Sequence, residues 1–179
     1  MFLKNWYKGL AGITAYSSEM TYKNVQGYNR ENASTSAWFV PLSSATKNSV
    51  NMKNVLTTDV LTTNSAMAGV IFGNGATPPT IDDYFLSGDQ ITGIEYTSNV
   101  SSVIDDNGVT VTGVYTITNN NTSDITISEV GLVGPCTTGT PYYYWRCMVE
   151  RTLLDTPVVI PAGGIGQVTY TIRFNYPTA

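Results

Sequence analysis

Two segments in the second half of the chain alternate regularly between hydrophobic and polar residues. Valine, tyrosine and isoleucine alternate with threonine through residues 109–118, and a similar run covers residues 166–174. Because consecutive side chains of a β-strand point to opposite faces of a sheet, this alternation predicts two strands that each bury one face.

Shorter apolar runs lie between Gly, Pro and Asn turns. They predict further strands at residues 68–72, 91–96, 125–132, 142–149 and 157–160. Several strands separated by short turns favour an all-β protein over one in which strands and helices alternate. We therefore predict an antiparallel β-sandwich, immunoglobulin-like or jelly-roll-like, with an extended N-terminal arm.

Three consecutive asparagines at residues 119–121 follow the first alternating segment. Asparagine is a common turn residue because its side chain bonds its own backbone and tolerates a left-handed conformation. We expect a turn here, and we expect residues 125–132 to return as the hairpin partner of residues 109–118.

The predicted return strand, residues 125–132, changes phase halfway along. Its first isoleucines have odd numbers, whereas the hydrophobic residues of its second half have even numbers. A regular strand cannot place both sets on one face. We expect either a β-bulge near Ser128 and Glu129 or a strand that is buried on both faces in this stretch.

Acidic residues form two adjacent pairs, at 82–83 and at 105–106. Residues 81–86 predict one helical turn, with Thr80 as its N-cap and the first pair in that turn. The second pair predicts a turn between strands. A calcium site there would need the full pattern of oxygen ligands, which the sequence lacks.

The sequence leaves two partnerships open. Glu129 and Arg151 either pair across the sandwich edge or are two solvated surface charges, and we favour the solvated pair. Cys136 and Cys147 form a disulfide if their strands are adjacent, or are buried thiols otherwise.

Residues 1–65 differ in character from residues 66–179, which form the predicted β-sandwich domain. The first segment scatters aromatic residues through polar sequence, with poor helical periodicity and several Gly and Pro residues. It is too aromatic for simple disorder. We predict an arm that packs its aromatic residues either on a neighbouring subunit or back onto its own domain.

Aromatic residues supply the candidate interaction surface. In the run at residues 142–145, consecutive strand side chains point in opposite directions, so about half of the rings should face outward. Exposed rings anchor subunit interfaces or stack on sugars. The alternative is a strand covered on both faces within the monomer. The interface candidates are Trp6, Tyr7, Trp38, Phe39, Tyr142, Tyr144 and Trp145.

Composition excludes several classes of function. The net charge is −4 and the basic residues are scattered, which disfavours nucleic-acid binding. Histidine is absent, which removes the usual general base and a common metal ligand. No apolar run approaches the roughly 20 residues that span a membrane, and no signal peptide is visible. We expect no enzyme activity, no cofactor and no metal site.

Three ordered strings of residues carry a resemblance to a known class of protein. The first is GVIFGNG at residues 69–75, followed by PPT at 78–80, DDY at 82–84 and Leu86. The second is TITNN at 116–120 with ITISEVGL at 125–132. The third is ERTLLDTPVVI at 150–160 with PAGG at 161–164 and VTYTI at 168–172. Together these strings resemble small bacteriophage virion structural proteins of the capsid-decoration or tail-associated type.

The resemblance covers roughly residues 67–174 and implies a β-sandwich component of a virion, made in the host cytoplasm. It implies self-assembly into a homo-oligomer and contact with other virion proteins, in the capsid or the tail. It brings no catalytic residues. The alternative is a β-sandwich module whose exposed aromatic residues bind a glycan on a host surface.

Overall fold

The computed structural model describes residues 21–23, 25–31, 69–138 and 143–176, and every regular element in these ranges is a β-strand. The strands are β1 (Thr21–Lys23), β2 (Asn29–Glu31), β3 (Gly69–Gly73), β4 (Ile94–Asp105), β5 (Gly108–Asn119), β6 (Ile125–Thr138), β7 (Tyr143–Ile160) and β8 (Ile165–Asn175). The predicted all-β class is confirmed. In these ranges no helix is long and apolar enough to cross a membrane.

The long strands form two antiparallel sheets of three strands, ordered β3-β6-β7 and β4-β5-β8, while β1 and β2 pair with each other. The predicted hairpin between β5 and β6 is therefore wrong, because these strands belong to different sheets. The chain crosses between the sheets after Asn119, and it crosses again at residues 161–164, between β7 and β8.

One hydrophobic core contains residues from both sheets, which gives the fold a sandwich-like arrangement. Phe72 of β3 packs edge-on against Tyr96 of β4 and Tyr115 of β5, with ring centroids 5.6 Å apart in each pair. The two tyrosine rings are themselves 5.7 Å apart. The Tyr96 hydroxyl donates to the Val70 carbonyl at 3.3 Å, so a hydrogen bond also joins the sheets.

Both expectations for the phase change in β6 are met. The pairing with β7 shifts register between Ile127 and Glu129, where residues 154–157 of β7 lie opposite the single residue Ser128. Residues 127–134 are also buried throughout, on both faces. Their outer face belongs to a second hydrophobic cluster, formed by Ile71, Leu86, Val133 and Met148.

The hairpin of β1 and β2 is the described part of the predicted arm, and it contacts its own chain. Val25 packs against the second hydrophobic cluster. Gly27 has a φ of 81°, and a β-carbon added there would lie 3.1 Å from the ring of Tyr84. These contacts place the turn between β1 and β2 against its own domain, while the packing of the arm's aromatic residues on a neighbour or on its own domain stays a prediction.

The helical turn predicted for residues 81–86 is wrong. Residues 80–83 instead form a turn in which the Asp83 N–H donates to the Thr80 carbonyl at 3.2 Å. The Asp83 carboxylate accepts the Thr80 N–H at 2.9 Å and the Thr80 hydroxyl at 2.7 Å. Thr80 and Asp83 thus close a single turn, and no helix follows it.

The buried side chain of Asn119 joins the connections at one end of the two sheets. Its Nδ2 lies 2.9–3.1 Å from the carbonyl oxygens of Ser123, Ile160 and Pro161. Its Oδ1 accepts the backbone N–H of Asn121 at 3.0 Å. This network explains why the asparagine cluster closes a crossover between sheets and not a hairpin.

We expect Asn119→Ala to lower the free energy of unfolding by about 3 kcal/mol, because it leaves buried carbonyl groups without a donor. Urea denaturation measures this change. Asn120→Ala is the matched control: Asn120 is exposed, and the change should stay within about 0.5 kcal/mol. Equal losses in the two variants would contradict the role of Asn119.

Candidate functional site

Glu129 of β6 and Arg151 of β7 form a buried ion pair. Arg151 Nη1 lies 2.7 Å from Glu129 Oε2, and the two side chains are 1% and 0% exposed. The favoured interpretation of two solvated surface charges is therefore wrong. The charges lie beneath the connection between β3 and β4, which shields them from solvent.

Glu129 holds that connection through its backbone. Glu129 Oε1 accepts the N–H groups of Gly75 at 3.1 Å and Gly88 at 2.9 Å. Glu129 Oε2 accepts the N–H and the hydroxyl of Ser87, each at 3.1 Å. One carboxylate thus draws both ends of the loop together and satisfies their backbone donors.

Arg151 extends the network to the middle of the same loop. Its Nε donates to Asp83 Oδ2 at 2.9 Å, and its Nη2 donates to the Thr77 carbonyl at 2.8 Å. We call Asp83, Glu129 and Arg151 the charge cluster. Because its guanidinium spans two carboxylates and a carbonyl, the cluster holds the turn around Asp83 against β7.

Glycines let the loop approach the charge cluster closely. A β-carbon added at Gly75 would lie 2.3 Å from Glu129 Oε1 and 2.0 Å from the Ser87 hydroxyl oxygen. One added at Gly88 would lie 2.5 Å from the Gly75 nitrogen. The Gly-Asn-Gly motif at residues 73–75 therefore serves a tight packing contact.

The three strings of the sequence resemblance meet at this cluster. Asp83 belongs to the first string, Glu129 to the second and Arg151 to the third. Sequence reasoning named Glu129 and Arg151 as a possible pair but favoured solvated charges, because the two residues lie far apart along the chain. It assigned Asp83 only to a helical turn, and no sequence signal connected Asp83 with the other two.

A second buried polar contact joins the two sheets. The hydroxyl of Tyr170 on β8 donates to Glu150 Oε2 on β7, and both side chains are buried. Burial and the adjacent Glu150 carboxylate raise the pKa of Tyr170 well above its ordinary value. Sequence reasoning placed Tyr170 on the inward face of its strand but did not identify Glu150 as its partner.

The acidic pair at residues 105–106 forms the predicted turn. Asp105 lies opposite Gly108 at the end of the β4–β5 pair, and Asp105 Oδ1 accepts the Asn107 N–H at 2.8 Å. Arg173 of β8 binds both carboxylate oxygens of Asp105, at 2.9 and 3.0 Å. Among the described residues, no group of three or more His, Cys, Asp or Glu side chains is placed to hold a metal.

The described structure does not test the predicted interface residues. Trp6, Tyr7, Trp38, Phe39 and Tyr142 lie outside the described residues. Tyr144 and Trp145 are in β7, where their backbones lie opposite Thr137 and Cys136. Their role at an interface stays a prediction.

The open question about the cysteines is answered. Cys147 is disulfide-bonded, and the chain has one other cysteine, Cys136. The two residues lie on adjacent strands, because Cys147 is opposite Gly134 and Cys136 is opposite Trp145. The condition set for a disulfide, adjacent strands, is thus met.

No protein-family model, curated protein or solved structure matches this chain. Evolutionary kinship therefore supplies no argument about function.

We expect Arg151→Met to lower the free energy of unfolding by about 3–5 kcal/mol, because it leaves the buried Glu129 carboxylate without its charged partner. Glu129→Gln should also lower the free energy of unfolding. The loss in the double variant should be smaller than the sum of the two single losses by about 0.5–3 kcal/mol. A double-mutant cycle by chemical denaturation measures this coupling. The exposed Asp105–Arg173 pair is the control, and its cycle should show no measurable coupling. Strict additivity for Glu129 and Arg151 would contradict the buried pair.

Stability should fall in acid through the charge cluster. Burial raises the pKa values of Asp83 and Glu129, but hydrogen bonds from the loop backbone and from Arg151 outweigh burial and hold both below their ordinary values of 3.8 and 4.5. A carboxylate whose pKa is depressed in the folded state stabilises the fold at pH values above its ordinary pKa. This stabilisation is lost as the pH falls from the ordinary pKa through the depressed pKa. Asp83→Asn should therefore flatten the decline in unfolding free energy below pH 3.8. An unchanged slope would contradict this assignment.

Proposed function

We propose that this chain is a non-enzymatic structural component of a bacteriophage virion that acts by self-assembly and by contact with other virion proteins. The supporting observation is the convergence of the three resemblance strings on the charge cluster. The contacts among Asp83, Glu129 and Arg151 make the three strings parts of one folded unit. The virion role itself is proposed from the resemblance of these strings.

The charge cluster suits a rigid building block. It ties the longest described connection, residues 74–93, to the central strand of one sheet. At one end of the sheets, Asn119 joins the remaining crossovers. We propose that the two sheets form a full β-sandwich, immunoglobulin-like or jelly-roll-like, whose surface changes little when it meets a neighbour.

The outward face of the β4-β5-β8 sheet suits repeated contacts between subunits. The middle of this face exposes neutral polar residues: Thr97, Asn99, Ser101, Thr116, Gln167, Thr169 and Thr171. Its exposed charges, Glu95, Asp105 and Arg173, lie toward the ends of the strands, so covering the middle alone does not remove charges from water, which would cost several kcal/mol per ion. The alternative function, glycan binding by Tyr144 and Trp145, stays a prediction because their side chains are outside the described part of the chain.

Purified particles of the virus that encodes this sequence test the virion assignment. We expect mass spectrometry to find the chain in density-purified particles, and immunogold electron microscopy to place it at a fixed position on the capsid or the tail. A non-virion enzyme of the same virus is the control and should be absent. Detection of the chain only in the soluble fraction of the lysate would overturn the proposal.

A further inference from the structure

In the part of the chain that the structure describes, strand β4 has an open hydrogen-bonding edge. It lies at one side of the β4-β5-β8 sheet, and in the described ranges its backbone pairs with β5 alone. The pairing runs without a register shift from Ile94 to Asp105. In an antiparallel pair, alternate residues direct their N–H and C=O groups away from the partner strand, so β4 presents a regular row of such groups.

The sequence of β4 lacks the usual protection of an edge strand. Proteins block edges with charged residues, proline, bulges or short strands. Between Glu95 and Asp105, β4 has no charged residue, no proline and no glycine. The edge strands of the other sheet differ: β7 has two register shifts, and β3 is short and partly covered by a bridge from Gly73 to Gln90.

The far half of β4 also exposes apolar surface. Val103 is 62% exposed and Ile104 is 73% exposed, on opposite faces of the strand. Residues 101–105 are exposed without exception. A strand added along this edge would cover both side chains and satisfy the open backbone groups at once.

We propose that β4 pairs antiparallel with β4 of a second copy of this chain, joining two three-stranded sheets into one continuous sheet. A two-fold axis perpendicular to the sheet keeps the core-facing sides of both copies together. This inference rests on the self-assembly proposed above and identifies the surface that performs it.

Charge selects the register of this pairing. If the axis lay midway between the two copies of Val100, Glu95 of each copy would lie opposite Asp105 of the other, and directly opposed like charges are destabilising. If the axis lies midway between the two copies of Asn99, that opposition disappears. Ile104 of each copy then lies opposite Ile94 of the other, so apolar residues meet at both ends of the paired segment.

Charge substitution along the edge tests the pairing. Thr97, Asn99 and Ser101 are exposed on the outward face of β4, so changing all three to lysine should leave the fold intact, as circular dichroism and thermal unfolding would verify. Light scattering on a size-exclusion column should show the wild-type chain as a dimer or a multiple of it. The dissociation constant of the triple-lysine dimer should be at least about tenfold higher than that of the wild-type dimer.

Two further variants make the test specific. Changing the same three residues to glutamate should also prevent self-association, while an equimolar mixture of the lysine and glutamate variants should form heterodimers that native mass spectrometry detects. The matched control places lysine at Gln167, Thr169 and Thr171, on the same face of the opposite edge strand, β8. This control should associate like the wild type.

The outcomes separate this inference from the proposed function. An oligomer that survives the β4 lysine variant, or that only the β8 variant disrupts, overturns β4 pairing and leaves self-assembly standing. A wild-type chain that stays monomeric from about 1 μM to 1 mM overturns both β4 pairing and self-assembly. Virion association, measured on purified particles, is independent of either result.

Discussion

The contact between the Glu129 carboxylate and the Arg151 guanidinium constrains much of the described structure. Both charges are almost completely removed from water, and an unpaired charge in such a position costs several kcal/mol. Each group must therefore keep its partners, and these include the backbone of Gly75 and Gly88. The loop between β3 and β4 must therefore keep this conformation in the folded state, because releasing it would leave the buried Glu129 carboxylate without its backbone donors.

Two polar networks hold the irregular segments of the described fold. The charge cluster holds the loop that covers one face of the β3-β6-β7 sheet, and Asn119 joins the crossovers at the end of both sheets. Both networks satisfy backbone groups of irregular segments with buried side chains, which replaces the hydrogen bonds that regular strands supply. The edge of β4 is a regular backbone without such a partner among the described residues, and the proposed contact with a second copy uses this edge.

Local reasoning failed where neighbours in sequence are not neighbours in space. Consecutive strands usually pair, so β5 and β6 were expected to form a hairpin. The side chain of Asn119 instead bonds carbonyl groups at the end of β7, and β6 joins the opposite sheet. The helical turn at residues 81–86 is also absent, and Asp83 of this segment is held by a distant residue, Arg151.

The sequence by itself determined the all-β class, the inward and outward faces of β5 and β8, the turn at residues 105–106 and the irregularity near Ser128. These features follow from the two-residue period of a strand and from local turn chemistry. Only the tertiary structure decided which strands share a sheet and that Glu129 is buried against Arg151. Such pairing depends on residues distant along the chain, and a charged residue has the same local pattern whether water or another charge surrounds it.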